Sequence, residues 1–169
     1  MKIGGLIKMT LLDFPHHVAC SVFLKGCNFR CPFCYNSSLI EVDESSSLIN
    51  EDDFFSFLRS RKGKLDGVAI TGGEPLLQEG IVDFIRKIKK MGFKVKLDTN
   101  GTSPHLLQFL IEEKLVDYVA MDIKNTIEKY PLTAGCKVKI EDILKSIDIL
   151  LSGNVDYEFR TTVVKELHE

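Results

Sequence analysis

With 169 residues, 44% of them hydrophobic, the chain is long enough for one domain with a sizeable core and too short for two ordinary ones. Lys and Arg number 22 against 24 Asp and Glu, a net charge of -2 with no basic stripe, which argues against nucleic acid and for small or protein substrates. Residues 1–8 lack an apolar stretch of signal-peptide length, and no apolar run approaches the roughly 18 residues of a membrane helix, so a cytoplasmic protein without a membrane partner is expected.

Residues 1–16 alternate poorly and end in Asp13-Phe14-Pro15, which reads as a lead-in segment closed by a turn. Residues 18–25 are β-prone and bounded by Gly26, giving a first strand. From its end hangs Gly26-Cys27-Asn28-Phe29-Arg30-Cys31-Pro32-Phe33-Cys34-Tyr35-Asn36, a C-x-x-x-C-x-x-C run. Residues 41–49, acidic and serine-rich, are expected to form an exposed connection. Asn50 can cap a helix with Glu51, Asp52 and Asp53 in its first turn, Phe54, Phe57 and Leu58 on one face, and Gly63 as its stop.

A short strand at 67–70 runs into Thr71-Gly72-Gly73-Glu74-Pro75, and Ile81, Phe84, Ile85, Ile88 and Met91 recur behind it at helical spacing. A third strand at 94–97 breaks at Asp98-Thr99-Asn100-Gly101, after which Ser103 and Pro104 open a helix with Leu106, Leu107, Leu110 and Ile111 inward. A fourth strand at 116–120 leads to Met121-Asp122-Ile123-Lys124. Ile140, Ile143, Leu144, Ile147 and Leu151 mark a helix closed by Gly153, and a fifth strand is expected at 157–164. Strands alternating with helices imply βαβ crossovers and a parallel sheet, coiled toward a barrel or wound flat. The cysteines, Gly72-Gly73-Glu74, Asp98-Thr99-Asn100 and Asp122 with Lys124 all fall at or just past strand carboxyl ends, where parallel α/β folds build active sites.

Five cysteines is an odd count, and three within eight positions suit a metal in a reducing compartment better than a disulfide framework. A structural zinc site would need a fourth ligand such as His16, His17, Cys20 or Cys136, but zinc pairs usually come on two separated C-x-x-C arms. Three thiolates on an iron–sulfur cubane instead leave one iron without a protein ligand. Gly72-Gly73 can bring backbone carbonyls close to a cationic amino group, with Glu74 adding a carboxylate, although Gly-Gly after a strand also serves as a simple tight turn. Asp98-Thr99-Asn100-Gly101 on its own fits a turn and helix cap; Asp122 and Lys124, two apart on a strand, share a face.

These motifs, in this order over nearly all of the chain, resemble the radical S-adenosylmethionine (radical SAM) superfamily. The resemblance implies a single domain over 1–169 folded as an α/β, partial (β/α) barrel of parallel strands and crossover helices. It implies a [4Fe–4S] cluster on Cys27, Cys31 and Cys34 whose fourth iron is chelated by S-adenosylmethionine. One electron from the cluster then yields a 5′-deoxyadenosyl radical.

Gly26 to Asn36, Asp98-Thr99-Asn100-Gly101 and Met121-Asp122-Ile123-Lys124 are similar to the glycyl-radical-enzyme activases. Gly4-Gly5-Leu6, Asp13-Phe14-Pro15 and residues 158–164 resemble most the anaerobic ribonucleoside-triphosphate reductase activating type, with a pyruvate formate-lyase-type activase or a small-molecule or peptide enzyme as alternatives. The resemblance implies cofactor contacts from Phe33, Tyr35, Asn36, Gly72, Gly73, Glu74, Asp98, Asn100, Asp122, Lys124 and Arg160. It also implies a K+ or Na+ ion on Asp98, Thr99, the Ala120 carbonyl and Asp122, since hard oxygens suit such an ion. An exposed strand arginine is the plainer reading of Arg160. The implied partners are a glycyl radical enzyme and a flavodoxin or ferredoxin electron donor. Longer relatives continue into another helix and strand, so the last helix–strand unit and a late cofactor histidine are expected to be missing, with His168 not replacing it. No inserted cysteine-rich ferredoxin-like segment is present, so one cluster is expected.

Overall fold

Residues 1–41 and 48–169 are described by the structure, a computed structural model, so most of the acidic, serine-rich connection lies outside the described residues. One sheet carries six strands in sequential order: β1 (Ile3–Thr10), β2 (Ala19–Leu24), β3 (Gly67–Gly72), β4 (Lys94–Thr99), β5 (Tyr118–Asp122) and β6 (Asp156–Arg160). β2 to β6 are parallel, and β1 runs antiparallel along β2 at the edge. Sequential order with crossovers of one hand places the helices on one face and coils the sheet toward a partial barrel, whereas a flat doubly wound sheet reverses its order midway.

The helices between these strands lie where the periodicities put them, but Leu144 and Leu151 of the expected set are exposed, and Phe55 is buried where Phe57 was expected. In α1 (Glu51–Ser60) the Asn50 side chain accepts the Asp52 amide, the expected cap, and Phe54, Phe55 and Leu58 are buried. α2 (Ile81–Lys90) buries Ile81, Phe84, Ile85 and Ile88, and Phe84 stacks on Phe54 with ring centroids 5.3 Å apart. α3 (Pro104–Glu112) opens on its proline and buries Leu107, Leu110 and Ile111. After a five-residue helix, α4 (Tyr130–Ala134), the longer α5 (Ile140–Leu151) packs Ile143 and Leu150 inward; a single turn, α6 (Lys165–His168), follows β6.

Alternation along the strands decides what each face carries. Val22, Leu24, Val68, Ile70, Val95, Leu97, Val119 and Met121 join the helices in one apolar core. On the opposite face the register lines up Ser21, Ala69 and Lys96 on one rung, with Asp98 beside Ala120 and Asp122 beside Arg160 further on. That inner face of small and charged residues explains a lysine 2% exposed in mid-strand: the Lys96 ammonium sits 2.8 Å from Asp98 and 3.7 Å from Glu158.

Three expectations are corrected. The lead-in segment is a strand, because an edge strand half in solvent, with Gly4 and Gly5 and two register shifts, carries no clean alternation. The fourth strand lies two residues later than expected, because Asp117 ends the preceding turn by accepting the Val95 amide at 2.7 Å and the Lys89 ammonium. The fifth strand stops at Arg160, and residues 161–164 lead into α6.

Candidate functional site

The carboxyl ends of the strands open on a cleft of about 480 Å³. Cys27, Cys31, Phe33, Cys34, Tyr35 and Asn36 line it from the loop after β2, and Gly72 and Gly73 from the end of β3. Asp98, Thr99 and Asn100 enter from β4, Asp122 and Lys124 from β5, and Arg160 from β6. Phe29, Ile40, Thr71 and Thr162 complete the lining. Phe29 and Thr71 could have been found from their places beside the cysteines and Gly72; Ile40, brought in by its carbonyl bond to the Cys27 amide, and Thr162 had no signal of their own.

The cysteine loop is fixed mostly through its backbone. Gly26, at φ 102, donates its amide to the Leu39 carbonyl at 2.7 Å and accepts the Glu74 amide at 2.8 Å. Cys27 donates to Ile40 at 3.1 Å and Arg30 to Ala134, at the end of α4, at 2.8 Å. Inside the loop the Arg30 guanidinium donates to the carbonyls of Cys27 and Phe29, the Cys34 amide closes a turn onto Cys31, and the Phe29 amide points at the Cys27 sulfur at 3.4 Å. Burial raises the Cys27 thiol, and Glu74, Cys31 and Cys34 raise it further. Burial also raises Cys31, against the pull of Lys124 and with a further push from Cys34. A metal centre supplies the positive charge that favours the thiolate form against such burial.

The Gly72-Gly73 turn lies against this loop with no room for a side chain: a Cβ on Gly73 would meet the Gly26 carbonyl oxygen at 2.1 Å, and one on Gly72 the Leu24 backbone at 2.4 Å. The backbone of both glycines therefore packs directly on the β2 exit and also lines the cleft. Glu74 differs from the expectation. Its carboxylate is 0% exposed, does not line the cleft, and accepts the Thr99 hydroxyl at 2.8 Å and the amides of Asn100 at 2.7 Å and Leu76 at 3.1 Å. It ties the β3 exit loop to the β4 exit loop. Desolvation pushes its pKa up to about 7 against those three donors.

Opposite the cysteines runs a chain of ion pairs. Arg160 bridges Asp98 at 3.3 Å and Asp122 at 3.2 Å, Lys96 takes the other oxygen of Asp98, and Lys124 takes the other oxygen of Asp122 at 3.0 Å. Against the desolvation that burial imposes, the two carboxylates hold the guanidinium above its ordinary value. Arg160 thus lines the cleft paired with two carboxylates, its side chain 39% exposed. Of the four oxygen donors expected around a monovalent ion, Asp98, Thr99 and Asp122 line the cleft; Ala120 is fully buried and does not. His168 stands behind Lys124, its Nε2 2.9 Å from the Lys124 carbonyl and its Nδ1 accepting the Val164 amide at 3.1 Å.

The placement of the remaining candidates weakens the zinc alternative. Cys20 is fully buried in the core at the start of β2, its thiol pushed up to about 12, and His17 packs on Phe14 and Lys94 at the opposite end of the sheet. Cys136 lies nearer, its thiol 3.4 Å from the Asn28 carbonyl.

A family model described as the radical SAM superfamily matches residues 21–168. Among curated proteins the chain is 36% identical over 172 residues to "Putative glycyl-radical enzyme activating enzyme MJ1227" of Methanocaldococcus jannaschii, covering 98% of this chain and 69% of that protein. It is 28% identical over 153 residues to 7-carboxy-7-deazaguanine synthase of Clostridium acetobutylicum, covering 80% of this chain and 67% of the relative. Among solved structures, anSMEcpe with bound AdoMet and a peptide superposes with a TM-score of 0.61 at 20% identity over 82% of this chain and 42% of the other. The cysteine loop, the glycine wall and the matched span agree, and the chain belongs to the radical SAM superfamily.

Proposed function

We propose that residues 1–169 act as one radical SAM domain of an activase that generates a glycyl radical on a partner enzyme. The observation that carries this reading is the convergence of three thiols and the Gly72-Gly73 backbone on one open cleft. Membership of the family implies a [4Fe–4S] cluster and S-adenosylmethionine. The residues fit both: three soft sulfur donors on one short loop would leave a cubane one open iron, and Gly72 and Gly73 line the cleft with backbone bare of side chains, where an ammonium would meet carbonyl acceptors. When bound, cluster and cofactor together supply a reducing electron and a carbon-centred radical able to take a hydrogen atom.

The chain's own residues hold and orient. Cys27, Cys31 and Cys34 carry the cluster. Phe33, Tyr35, Asn36, Asp98, Asn100, Asp122, Lys124 and Arg160 line the space left for the cofactor, Lys124 and Arg160 offering cationic donors to its carboxylate. A K+ or Na+ ion on Asp98, Thr99, Ala120 and Asp122 would share its carboxylates with Arg160 and Lys124. Likeness to the protein named as a glycyl-radical enzyme activating enzyme favours a glycyl radical enzyme as partner, and the motif pattern favours an anaerobic ribonucleoside-triphosphate reductase, with flavodoxin or ferredoxin as electron donor. The likeness to 7-carboxy-7-deazaguanine synthase supports a second reading, a radical enzyme acting on a small molecule.

The test is anaerobic reconstitution with iron and sulfide, reduction, and incubation with S-adenosylmethionine and the candidate reductase. Formation of 5′-deoxyadenosine with a glycyl EPR signal supports the activase. Deoxyadenosine without a protein radical favours the small-molecule reading, and a protein that takes zinc but no cluster refutes both.

A further inference from the structure

Between the first two cysteines, Asn28 makes contacts that cluster binding does not require. Its Oδ1 accepts the Asn100 amide nitrogen at 2.8 Å, and its Nδ2 donates to the Thr102 hydroxyl at 2.9 Å. Thr102 in turn donates that hydroxyl to Asn100 Oδ1 at 2.7 Å, and its backbone amide reaches the same oxygen at 3.1 Å. The three side chains close a ring in which each donates to the next, so every amide and hydroxyl is used in one sense. The ring joins segments 74 residues apart. It also extends to a third loop, because the Asn100 backbone amide donates to buried Glu74.

We infer that Asn28 is a positioning residue: with Asn100 and Thr102 it fixes the cysteine loop against the β4 exit loop, and so sets the gap in which S-adenosylmethionine meets the cluster. Asn28 and Thr102 are not among the residues that line the cleft, so neither acts by touching the cofactor there. Asn100 lines the cleft, but its side-chain amide is committed to the ring. Backbone bonds tie Gly26 to Leu39 and Glu74, Cys27 to Ile40 and Arg30 to α4, and Phe29 packs on Tyr130; the ring adds the direct side-chain tie between this loop and the β4 exit loop. A loop that samples other positions binds cofactor with an affinity reduced by the fraction of time it spends in place.

The inference rests on the proposed cofactor site, and the test separates the two. Asn28→Ala, Thr102→Val and Thr102→Ser are compared with wild type after cluster reconstitution, reading S-adenosylmethionine affinity from the change it causes in the reduced-cluster EPR spectrum. Hydrogen exchange across residues 27–36 is measured alongside. Losing one hydrogen bond of ordinary net worth corresponds to about fivefold. Thr102→Val and Asn28→Ala each remove two bonds of the ring, so each is expected to weaken binding about tenfold or more and to speed exchange, and Thr102→Ser to stay within about twofold of wild type. The serine variant keeps the hydroxyl and removes only a methyl group, so recovery there distinguishes positioning from general loss of packing. Wild-type binding with unchanged affinity and exchange in Asn28→Ala and Thr102→Val overturns the inference. A reconstituted wild type whose spectrum ignores S-adenosylmethionine overturns the cofactor site and the inference with it.

Discussion

Gly73→Ala tests how tightly the two loops pack. An alanine Cβ there would stand 2.1 Å from the Gly26 carbonyl oxygen and 2.7 Å from its carbon, where 3.0 Å is about the least that real Cβ atoms show. Both neighbours are backbone, so the two loops must part by about 1 Å. The Glu74 amide, now 2.8 Å from the Gly26 oxygen, then moves beyond hydrogen-bond range. Overpacking of this kind costs about 1–3 kcal/mol and the lost bond about 1 kcal/mol, so about 3 kcal/mol together. For a chain of this size that lowers the unfolding temperature by about 6–12 °C. Circular dichroism melts of wild type and variant measure it. Cofactor affinity should fall as well, since the parted loops are the two walls of the cleft. A melting shift under about 2 °C would refute the reasoning, for it would mean the loops separate freely.

Glu74→Gln addresses the buried carboxyl. With its folded pKa at about 7 against an ordinary 4.5, the folded state holds the proton more tightly, so its contribution is fully present below pH 4.5 and is lost as pH rises through about 7. The loss totals about 3 kcal/mol in wild type, and urea titrations at acidic and mildly alkaline pH should show that slope flattened in the glutamine variant. Arg160→Gln removes the guanidinium between Asp98 and Asp122, and about 10- to 100-fold of S-adenosylmethionine affinity is expected to go with it. The same variant should bind better in potassium than in tetramethylammonium, by more than wild type does, because its two carboxylates have lost their shared cation; equal dependence would count against an ion there. Phe84→Ala, in the Phe54–Phe55–Phe84 cluster, should cost about 3–5 kcal/mol, read as a lower urea midpoint.

The parts of the site that were legible in the sequence share one property: each motif ends a strand, and parallel strands bring such ends together whatever the detailed packing. Cys27, Gly73, Asp98, Asp122 and Arg160 are far apart in sequence yet line one cleft for that reason. Direction was less legible than place. Gly-Gly-Glu gives a residue type that suits an ammonium, but the following 3₁₀ turn, Pro75–Leu77, points Glu74 inward, where it caps that turn through Leu76. Arg160 gave no sign of its partners because they come from other strands, Asp122 in register beside it on β5 and Asp98 one strand further on β4; Lys96 meets Asp98 two residues along its own strand, but its second carboxylate, Glu158, comes from β6. α4 escaped notice because five residues beginning Tyr130-Pro131 carry no period; what holds it is tertiary, Phe29 meeting Tyr130 edge-on with centroids 6.5 Å apart.

The cysteine loop is held unequally along its length, and that bears on how it fills. Around the first cysteine, Gly26 is tied to Leu39 and Glu74 and Cys27 to Ile40; short of the second, Arg30 is tied to Ala134. Gly135, at φ 68, leaves no space beside Arg30, since a Cβ on it would stand 2.1 Å from the Arg30 carbonyl oxygen. The third cysteine bonds through its amide to Cys31, within the loop itself, and Tyr35 beyond it is fully exposed. Opening the first part of the loop breaks contacts with three other segments, whereas opening the last part breaks a local turn. Amide exchange in the protein without cluster should therefore be slowest at Cys27 and Arg30 and fastest from Cys34 to Asn36, and loading with iron and sulfide should slow the last group most. Uniform exchange along the loop, or protection gained mainly at Cys27, would show instead that the loop orders as a unit and that its third ligand is as preformed as its first.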